Sequence, residues 1–305
     1  MLRQSLLYLS TAGWARGIAT HWSVARRVAR RFVAGETMDE AIQVARQLLQ
    51  QNIFSTLDYL GESVSSEADT HEVVDTYQRL IQRIAAENLR ATVSVKPTHV
   101  GLDISEDLCL TNLRHILSTG KAHGVGVTLD MEGSSHTERT ITLYRTLRDE
   151  YDFHNAGTVI QAYLYRSEED MLALSQEDSH IRLCKGAYLE PPTVAFPLKA
   201  DVDANYVRLA KVYLQAHPSS YLCLATHDEN MIHQTEQFLR SAQIPPARYE
   251  YQMLYGVRSE RQRELARSHT MRVYVPFGTA WYPYFVRRLA ERPANVWFIV
   301  KNVFA

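Results

Sequence analysis

Two adjacent arginines lie near the C-terminus, in the segment YFVRRLAERPAN (residues 284–295). On a helix that ends before Pro293, one arc of about 100° presents Tyr284, Arg287, Arg288 and Glu291. Paired guanidinium groups can hold a carboxylate or a phosphate through charge-assisted hydrogen bonds. The same residues also fit a solvated helix surface with an Arg287–Glu291 pair, worth about 0.2–0.5 kcal/mol. The segment alone leaves both interpretations open.

Further reactive side chains lie within short apolar runs or just after them. They are Lys96, Asp130, Gln161, Arg182, Lys185, Thr226, His227, Leu254 and Tyr274. Charge at the end of a buried strand costs free energy unless it is paired or used. If these ends meet at one opening, cations outnumber acids there, which favours a small anionic substrate or a cofactor that carries phosphate.

The residue types leave more than one chemistry open. A lysine such as Lys96 or Lys185 could form a Schiff base with a carbonyl substrate. A bound redox cofactor could instead carry out hydride transfer. In LCKGAY (183–188), Gly186 would let backbone N–H groups approach a phosphate or a flavin ring, and it fits a tight turn equally well. No HxH or HExxH spacing predicts a metal site, and a non-catalytic barrel remains a third class.

The elements that must position these groups alternate along the chain. Short apolar runs predict strands, and longer segments with apolar residues three and four apart predict helices between them. The strands are predicted at 53–59, 91–95, 125–130, 158–164, 181–185, 221–225, 249–254 and 272–275. This alternation predicts an α/β fold with parallel strands, and their number favours a closed (β/α)₈ TIM-type barrel over an open sheet.

Bulk composition narrows the class of protein. The chain has 305 residues, 46% of them hydrophobic, and a net charge of −1, which gives no reason to expect nucleic-acid binding. The widely spaced Cys109, Cys184 and Cys223 are expected to be reduced thiols. No apolar run is long enough to predict a membrane span. The acid-free, arginine-rich start fits folded helices, a transit peptide or contact with anionic lipid, and we favour helices that end and restart at Gly35 and Thr37.

Taken together, the motifs resemble the proline dehydrogenase family, including the barrel of the bifunctional proline utilisation A proteins. The resemblance rests on LDYLGE, SVKPTHVGLD, VTLDMEG, VIQAYLYRS, RLCKGAYLEP, ATHDEN, EYQMLYGVR, VYVPFG and YPYFVRRLAERPAN, in that order. It implies an N-terminal helical arm at 1–52 and a catalytic barrel at 53–305, with a C-terminal helix over the barrel mouth. It also implies FAD-dependent oxidation of L-proline to Δ1-pyrroline-5-carboxylate, with hydride transfer to flavin N5.

The resemblance implies roles at the substrate. Arg287 and Arg288 would clamp the proline carboxylate, with Lys96 as a third cation and Glu291 holding their geometry. Leu254, Tyr274 and Tyr284 would pack on the pyrrolidine ring, and Asp130 would orient the cations or form a structural ion pair. The bulk of Tyr274 leads us to expect proline to be preferred over hydroxyproline.

The resemblance implies cofactor contacts as well. Arg182 would donate toward flavin N5 and Gln161 would reach the ring edge, with Met131 beside the cofactor. The isoalloxazine and its tail would be lined by Lys185, Gly186, Ala187 and Tyr188, and the ribityl or pyrophosphate region by Thr226 and His227. A membrane quinone would accept the electrons. We expect a bacterial cytoplasmic protein and leave open peripheral contact with the membrane and assembly into a homo-oligomer.

Overall fold

A computed structural model of the protein describes residues 29–175 and 179–291, except for the side chains of residues 289–291. Most of the predicted helical arm at 1–52 lies outside the described residues, so the division at residue 52 stays a prediction. The side chain of Glu291 and the predicted helix end at Arg292 lie outside them as well.

Eight parallel strands follow one another around a closed barrel, and the last pairs with the first. They are β1 (Phe54–Tyr59), β2 (Ala91–Val95), β3 (Val127–Leu129), β4 (Ala156–Gln161), β5 (His180–Cys184), β6 (Tyr221–Ala225), β7 (Tyr249–Leu254) and β8 (Met271–Phe277). The predicted TIM-type barrel is confirmed. Because the strands are parallel, their carboxyl ends open at one mouth, where barrels of this type carry their chemistry.

Strand β4 differs most from its predicted position. It begins at Ala156 and ends at Gln161, whereas the apolar run predicted 158–164. Beyond Gln161 the chain turns, because the backbone N–H of Tyr163 donates to the carbonyl of Lys185 and Leu164 bridges to Ala195. The apolar residues at the end of this run therefore pack against the loop after β5 rather than in the barrel wall.

Helices connect the strands and cover the barrel. They are α1 (Met38–Leu49), α2 (Glu67–Ala86), α3 (Glu106–His123), α4 (Thr137–Arg145), α5 (Ser167–Ser175), α6 (Lys199–Ala216), α7 (Glu229–Ser241), α8 (Ser259–Leu265) and α9 (Trp281–Glu291). The predicted start signal of α1 acts as a capping box, in which Thr37 accepts from the N–H of Glu40 and Glu40 accepts from the N–H of Thr37. Within the described residues, no helix is long and apolar enough to cross a bilayer.

The faces of the strands carry different residue types. Leu57, Val93 and Leu129 are fully buried in the main hydrophobic core, which includes side chains from the surrounding helices. Each such side chain contributes about 1.5–3 kcal/mol through burial. Polar residues alternate with these apolar ones, as in the hydrogen bond of 2.8 Å between the hydroxyls of Thr56 and Thr92. Polar groups within a barrel are costly to bury unless they are paired or used.

Helix α9 packs apart from the main core, against the carboxyl ends of the first and last strands. Its aromatic side chains form a second cluster that includes Phe32 of the N-terminal segment and Leu60, which directly follows β1. The rings of Phe32 and Phe285 lie 6.3 Å apart, and half-buried Tyr274 of β8 packs against the same cluster. The helix that carries the paired arginines therefore lies over the barrel mouth.

Candidate active site

Lys96, directly after β2, lies between buried carboxylates. Its Nζ is 3.0 Å from Oδ2 of Asp58 on β1 and 3.8 Å from Oδ2 of Asp130, which follows β3. Burial alone would lower the pKa of Lys96, but the attraction of Asp58, Asp130 and Glu62 outweighs burial and raises that pKa. Lys96 is therefore a permanent cation. Burial and the neighbouring Asp130 raise the pKa of Asp58 despite the attraction of Lys96.

Asp130 is the shared acceptor of the mouth. Its Oδ1 accepts from the hydroxyl of Ser94 at 2.6 Å and from Nη1 of Arg182 at 2.5 Å. Its Oδ2 accepts from the phenol of Tyr274 at 2.7 Å. Burial would raise the pKa of Asp130, but Arg182 and then Lys96 outweigh burial, so that pKa lies below its usual range. A single carboxylate thus joins side chains from β2, β5 and β8.

Arg182 crosses the barrel interior from β5. Its Nε donates to Oε1 of Gln252 on β7 at 2.7 Å, and its Nη1 also donates to Ser94 at 3.1 Å. The guanidinium carbon lies 5.3 Å from the ring centroid of Tyr274, which adds a cation–π contact. Because contacts at both ends fix its plane, Arg182 is held in one orientation at the mouth.

Arg287 of α9 is held by Glu62, in the loop after β1. Its Nη2 lies 2.5 Å from Oε1 of Glu62, and its guanidinium carbon lies 5.6 Å from the ring centroid of Tyr188. Burial would raise the pKa of Glu62, but the charges of Arg287 and Lys96 outweigh burial, so that pKa is lowered. The anion opposite Arg287 in the described residues is therefore Glu62. Whether Glu291 also holds the clamp stays a prediction.

The adjacent Arg288 has a different environment. Arg287 is only 8% exposed, whereas Arg288 is half-buried and lies over the ring of Tyr284 on the same helix, 5.0 Å from its centroid. Tyr284 itself is buried in the α9 cluster. The helix thus presents one guanidinium toward the strand ends and a second one above an aromatic ring.

Several predicted cofactor residues surround the same mouth. Gln161, at the end of β4, donates weakly from Nε2 to the carbonyl of Met131 at 3.5 Å, and its buried Oε1 has no hydrogen-bond partner among the described residues. Gly186 has a φ of +111°, and a Cβ there would come within 2.2 Å of the Tyr163 ring. The loop after β5, which continues through half-buried Ala187, therefore approaches the barrel closely only with glycine at this position.

The predicted residues after β5 and β6 form a second polar group. Lys185 Nζ lies 2.7 Å from Oδ1 of Asp203 and 3.2 Å from Oδ2 of Asp228, so its charge is matched within the protein. The hydroxyl of Thr226 accepts from the N–H of Asp228 at 3.1 Å. His227 Nε2 accepts from the N–H of half-buried Leu254 at 2.8 Å, so its proton is on Nδ1.

The structure thus gathers Lys96, Asp130, Arg182, Tyr274 and Arg287 into one electrostatic cluster. Lys185, Thr226 and His227 lie along the neighbouring strand ends rather than within this cluster. The sequence analysis did not identify four charged residues of this interior. They are the acidic residues Asp58, Glu62 and Glu250 and the basic residue Arg272. The available signal was a charge inside an apolar parallel strand, as in FSTLDY and YEYQML. The cations of the cluster are buried beneath α9 and can bind a carboxylate.

Comparisons with known proteins agree with this geometry. The family model described as proline dehydrogenase matches residues 41–301. "Proline dehydrogenase 1" of Bacillus subtilis (strain 168) is 45% identical over 304 residues, which is 99% of either chain. The proline dehydrogenase of Deinococcus radiodurans is 42% identical over 280 residues, 90% of either chain.

A solved structure adds a likeness in three dimensions. It is proline utilization A (PutA) from Bdellovibrio bacteriovorus inactivated by N-propargylglycine, with a TM-score of 0.82 and 28% identity. The match covers 88% of this chain and 33% of that one, so this chain corresponds to about one third of the larger protein.

Replacement of Lys96 by methionine tests the buried ion pairs. Lys96→Met would leave Asp58 and Asp130 without their shared ammonium, and we expect a loss of about 3–5 kcal/mol in the free energy of unfolding. Urea denaturation at neutral pH measures this loss. The control is Lys121→Met, which breaks an exposed pair with Asp152 and should leave the unfolding midpoint close to that of the wild type. Equal effects of the two variants would show that the buried pairs of Lys96 stabilise the fold no more than an exposed pair does.

His99 predicts a dependence of stability on pH. It lies in the 3-10 helix Pro97–Val100, its ring is 5.5 Å from that of Tyr59, and its buried Nδ1 has no hydrogen-bond partner among the described residues. Burial, and next the charge of Lys96, lower the pKa of His99 to about 4. Since the unfolded chain binds the proton first, stability should fall as pH drops from about 6.5 and level off below 4.

Unfolding of a His99→Asn variant between pH 7 and pH 4 isolates this contribution. Its stability should depend less on pH than that of the wild type, by about 3 kcal/mol at most over this range. His123→Asn, at an exposed position of α3, is the control for loss of an imidazole. Parallel curves for the wild type and His99→Asn would show that His99 contributes nothing to the acid sensitivity.

Proposed function

The chain belongs to the proline dehydrogenase family, and we propose that it oxidises L-proline to Δ1-pyrroline-5-carboxylate with FAD as the cofactor and a quinone as the final acceptor. The family membership itself makes it an oxidoreductase of proline catabolism and implies a flavin cofactor. The identity of that flavin, the path of the hydride and the acceptor belong to the proposal.

The observation that carries the proposal is the cationic mouth beneath α9. Arg287 and Lys96 both lower the pKa of Glu62, so both charges act at the same place. A substrate carboxylate can take a position like that of Glu62 and gain charge-assisted hydrogen bonds. The Bdellovibrio protein is inactivated by N-propargylglycine. This compound shares with proline a carboxylate next to a secondary amine, which supports an N-alkylated amino acid as the substrate here.

Aromatic side chains supply the apolar side of the proposed site. Tyr274 donates its phenol to Asp130 and lies against Arg182, so its ring is fixed at the mouth. Tyr284 is buried in α9, and Leu254 ends β7 beside His227. We assign these side chains to the contact with the pyrrolidine ring, whose burial favours binding by about 0.8 kcal/mol per methylene group.

The residues beside this mouth fit a flavin. Gln161 offers a buried amide oxygen without a described partner, which suits the imide N–H of a flavin ring. Gly186 keeps the loop after β5 close to the barrel, where Ala187 and Tyr188 can line the ring. Arg182 can donate toward N5 and Met131 can pack beside the ring, with Lys185, Thr226 and His227 toward its tail. When bound, the flavin would accept at N5 the hydride that leaves the substrate carbon and pass the electrons to a quinone.

The protein's own share of the mechanism is orientation and proton control. The substrate amine must be neutral for its lone pair to form the C=N bond as hydride leaves. Cations such as Lys96, Arg287 and Arg182 around the bound amino acid lower the pKa of its ammonium group. Holding the ring in one orientation supplies much of the remaining rate enhancement. No covalent bond between protein and substrate is required.

The arrangement argues against the Schiff-base alternative. A lysine nucleophile must be neutral, usually through burial that lowers its pKa. Lys96 instead has a raised pKa between Asp58 and Asp130. Lys185 is paired with Asp203 and Asp228. Neither lysine is placed to attack a carbonyl group.

The quinone partner sets a further expectation. A lipid-soluble acceptor implies that the protein works at the surface of a membrane, and we propose peripheral contact with the cytoplasmic face. The arginine-rich residues before Ala29 are the candidate segment, although they lie outside the described residues. The oligomeric state does not enter the proposed chemistry.

The visible spectrum of the purified protein tests the proposal. We expect a yellow protein that releases FAD on denaturation. Addition of L-proline in the absence of oxygen should reduce the visible absorbance of the flavin. A quinone analogue should then restore the colour. The same experiment with 4-hydroxyproline should give slower bleaching, because Tyr274 occupies the space beside the ring. A colourless protein that does not respond to proline would exclude the proposed function.

Replacement of Arg288 by lysine tests the carboxylate clamp. One ammonium cannot reproduce the planar fork of a guanidinium, so we expect KM for proline to rise about tenfold or more, equivalent to about 1.4 kcal/mol. Steady-state kinetics with a quinone analogue measure the change. Arg263→Lys, at an exposed position of α8, is the matched control and should leave KM unchanged. An unchanged KM in Arg288→Lys would remove Arg288 from the clamp.

A further inference from the structure

The nitrogen atoms of the Arg182 guanidinium donate hydrogen bonds to different partners. Its Nε donates to Gln252, and its Nη1 donates to Ser94 and Asp130. In the described part of the chain, no hydrogen bond involves its remaining nitrogen, Nη2. The side chain as a whole is 7% exposed. Contacts at Nε and Nη1 therefore determine where Nη2 points.

Gln252 connects Arg182 to a second buried ion pair. Its Oε1 accepts from Arg182 at 2.7 Å, and its Nε2 donates to Oε1 of Glu250 at 2.6 Å. A guanidinium can only donate hydrogen bonds, and an ionised carboxylate can only accept them. The amide of Gln252 therefore has one orientation that satisfies both neighbours. Its partly negative oxygen lies at Arg182, and its partly positive N–H₂ group lies at Glu250.

Glu250 is itself fixed deep in the barrel. Its Oε1 accepts from Nε of Arg272 at 2.7 Å, and its Oε2 accepts from Nη2 of Arg272 at 3.1 Å and from the phenol of Tyr221 at 3.2 Å. Arg272 also donates to the carbonyl of Ser55 on β1 at 2.9 Å. Burial would raise the pKa of Glu250, but Arg272 outweighs burial and lowers it. Glu250 is thus a charged anchor that side chains from β6 and β8 hold in place.

The position of these residues separates them from the substrate clamp. Glu250 and Gln252 lie four and two residues, respectively, before the end of β7 at Leu254, so they are below the mouth. They are 1% and 5% exposed, and neither contacts Lys96, Glu62 or Arg287 through a hydrogen bond or ion pair in the described residues. Their contact with the mouth is through Arg182.

We propose that Glu250 and Gln252 form a positioning relay that directs Nη2 of Arg182 toward the flavin and so makes the flavin easier to reduce. This inference rests on the proposed function. The relay ends in an amide for a physical reason. A carboxylate at position 252 would add a second negative charge beside Arg182, whereas the amide oxygen fixes the guanidinium without adding one. Among the residues that the structure describes, Asp130 is then the one carboxylate bonded directly to Arg182.

Substitutions at Gln252 separate position from charge. Gln252→Met keeps the length of the side chain and removes the oxygen that accepts from Arg182. We expect the equilibrium constant for flavin reduction to fall about tenfold, a midpoint potential lower by about 30 mV for a two-electron couple. The tenfold change corresponds to the loss of one charge-assisted hydrogen bond. Turnover should fall in parallel, while KM for proline should stay within about twofold of the wild-type value. Gln252→Glu should lower the potential as well, because its carboxylate adds a second negative charge beside Arg182.

Exchange of the Arg182 Nε proton gives a readout independent of turnover. In full-length protein labelled with ¹⁵N-arginine, the Nε–H signal that is lost in Arg182→Lys should be protected from exchange with water. Gln252→Met should remove this protection. Thr158→Val is the matched control, because its buried hydroxyl on β4 has no hydrogen-bond partner among the described residues. This control should leave the potential, the exchange and the turnover at wild-type values.

The outcomes distinguish the relay from the function on which it rests. If the wild-type protein binds no flavin or is not reduced by proline, the proposed function fails. If the wild type is reduced by proline but Gln252→Met keeps the wild-type potential and the wild-type exchange, the relay is wrong and the function stands. A loss of stability in Gln252→Met with an unchanged potential would also overturn the relay, since it would show a purely structural role.

Discussion

The pairing of Asp130 with cations from different strands is the interaction on which the rest of the site depends. Its oxygens hold Ser94, Arg182 and Tyr274 by hydrogen bonds and attract Lys96. Burying these charges costs several kcal/mol per ion before pairing. The cost is offset only if the buried charges pair with one another. The barrel supplies this condition, because its closed register places β2, β3, β5 and β8 around one interior.

A second constraint follows from the position of α9. Its apolar face packs against Phe32 and Leu60, which fixes the helix over the mouth without use of the polar groups. Arg287 pairs with an internal anion, Glu62, and the proposed function exchanges this anion for a substrate carboxylate. Exchange of one carboxylate for another changes little in the net charge of the mouth. Within the described residues, the interior hydrogen bonds of Lys96, Arg182 and Arg272 do not involve Arg287, so their partners stay the same in such an exchange.

The sequence predicted the barrel and part of the site for different reasons. Strand–helix alternation is a local pattern, so the strand number and most boundaries could be read directly. Lys96 and Asp130 were visible as charges at the ends of apolar runs, and the motif around Arg182 marked that residue. Asp58 and Arg272 lie within predicted strands, and nothing in those strands identifies their partners. Their partners come from other strands, and only the closed register brings those strands together. The partner of Arg287 was likewise hidden, since Glu62 is distant in sequence and a nearer acid, Glu291, fits the helical spacing.

A double-mutant cycle between Asp130 and Arg182 tests the central claim most directly. Urea unfolding of the full chain would be measured for the wild type, Asp130→Asn, Arg182→Gln and the double variant. If the two charges hold each other in the barrel, each single variant loses the same interaction. The sum of the two single losses in the free energy of unfolding should then exceed the loss in the double variant by about 2 kcal/mol or more. Losses that add to within about 0.5 kcal/mol would show that the groups are independent, and the account of the site would be wrong.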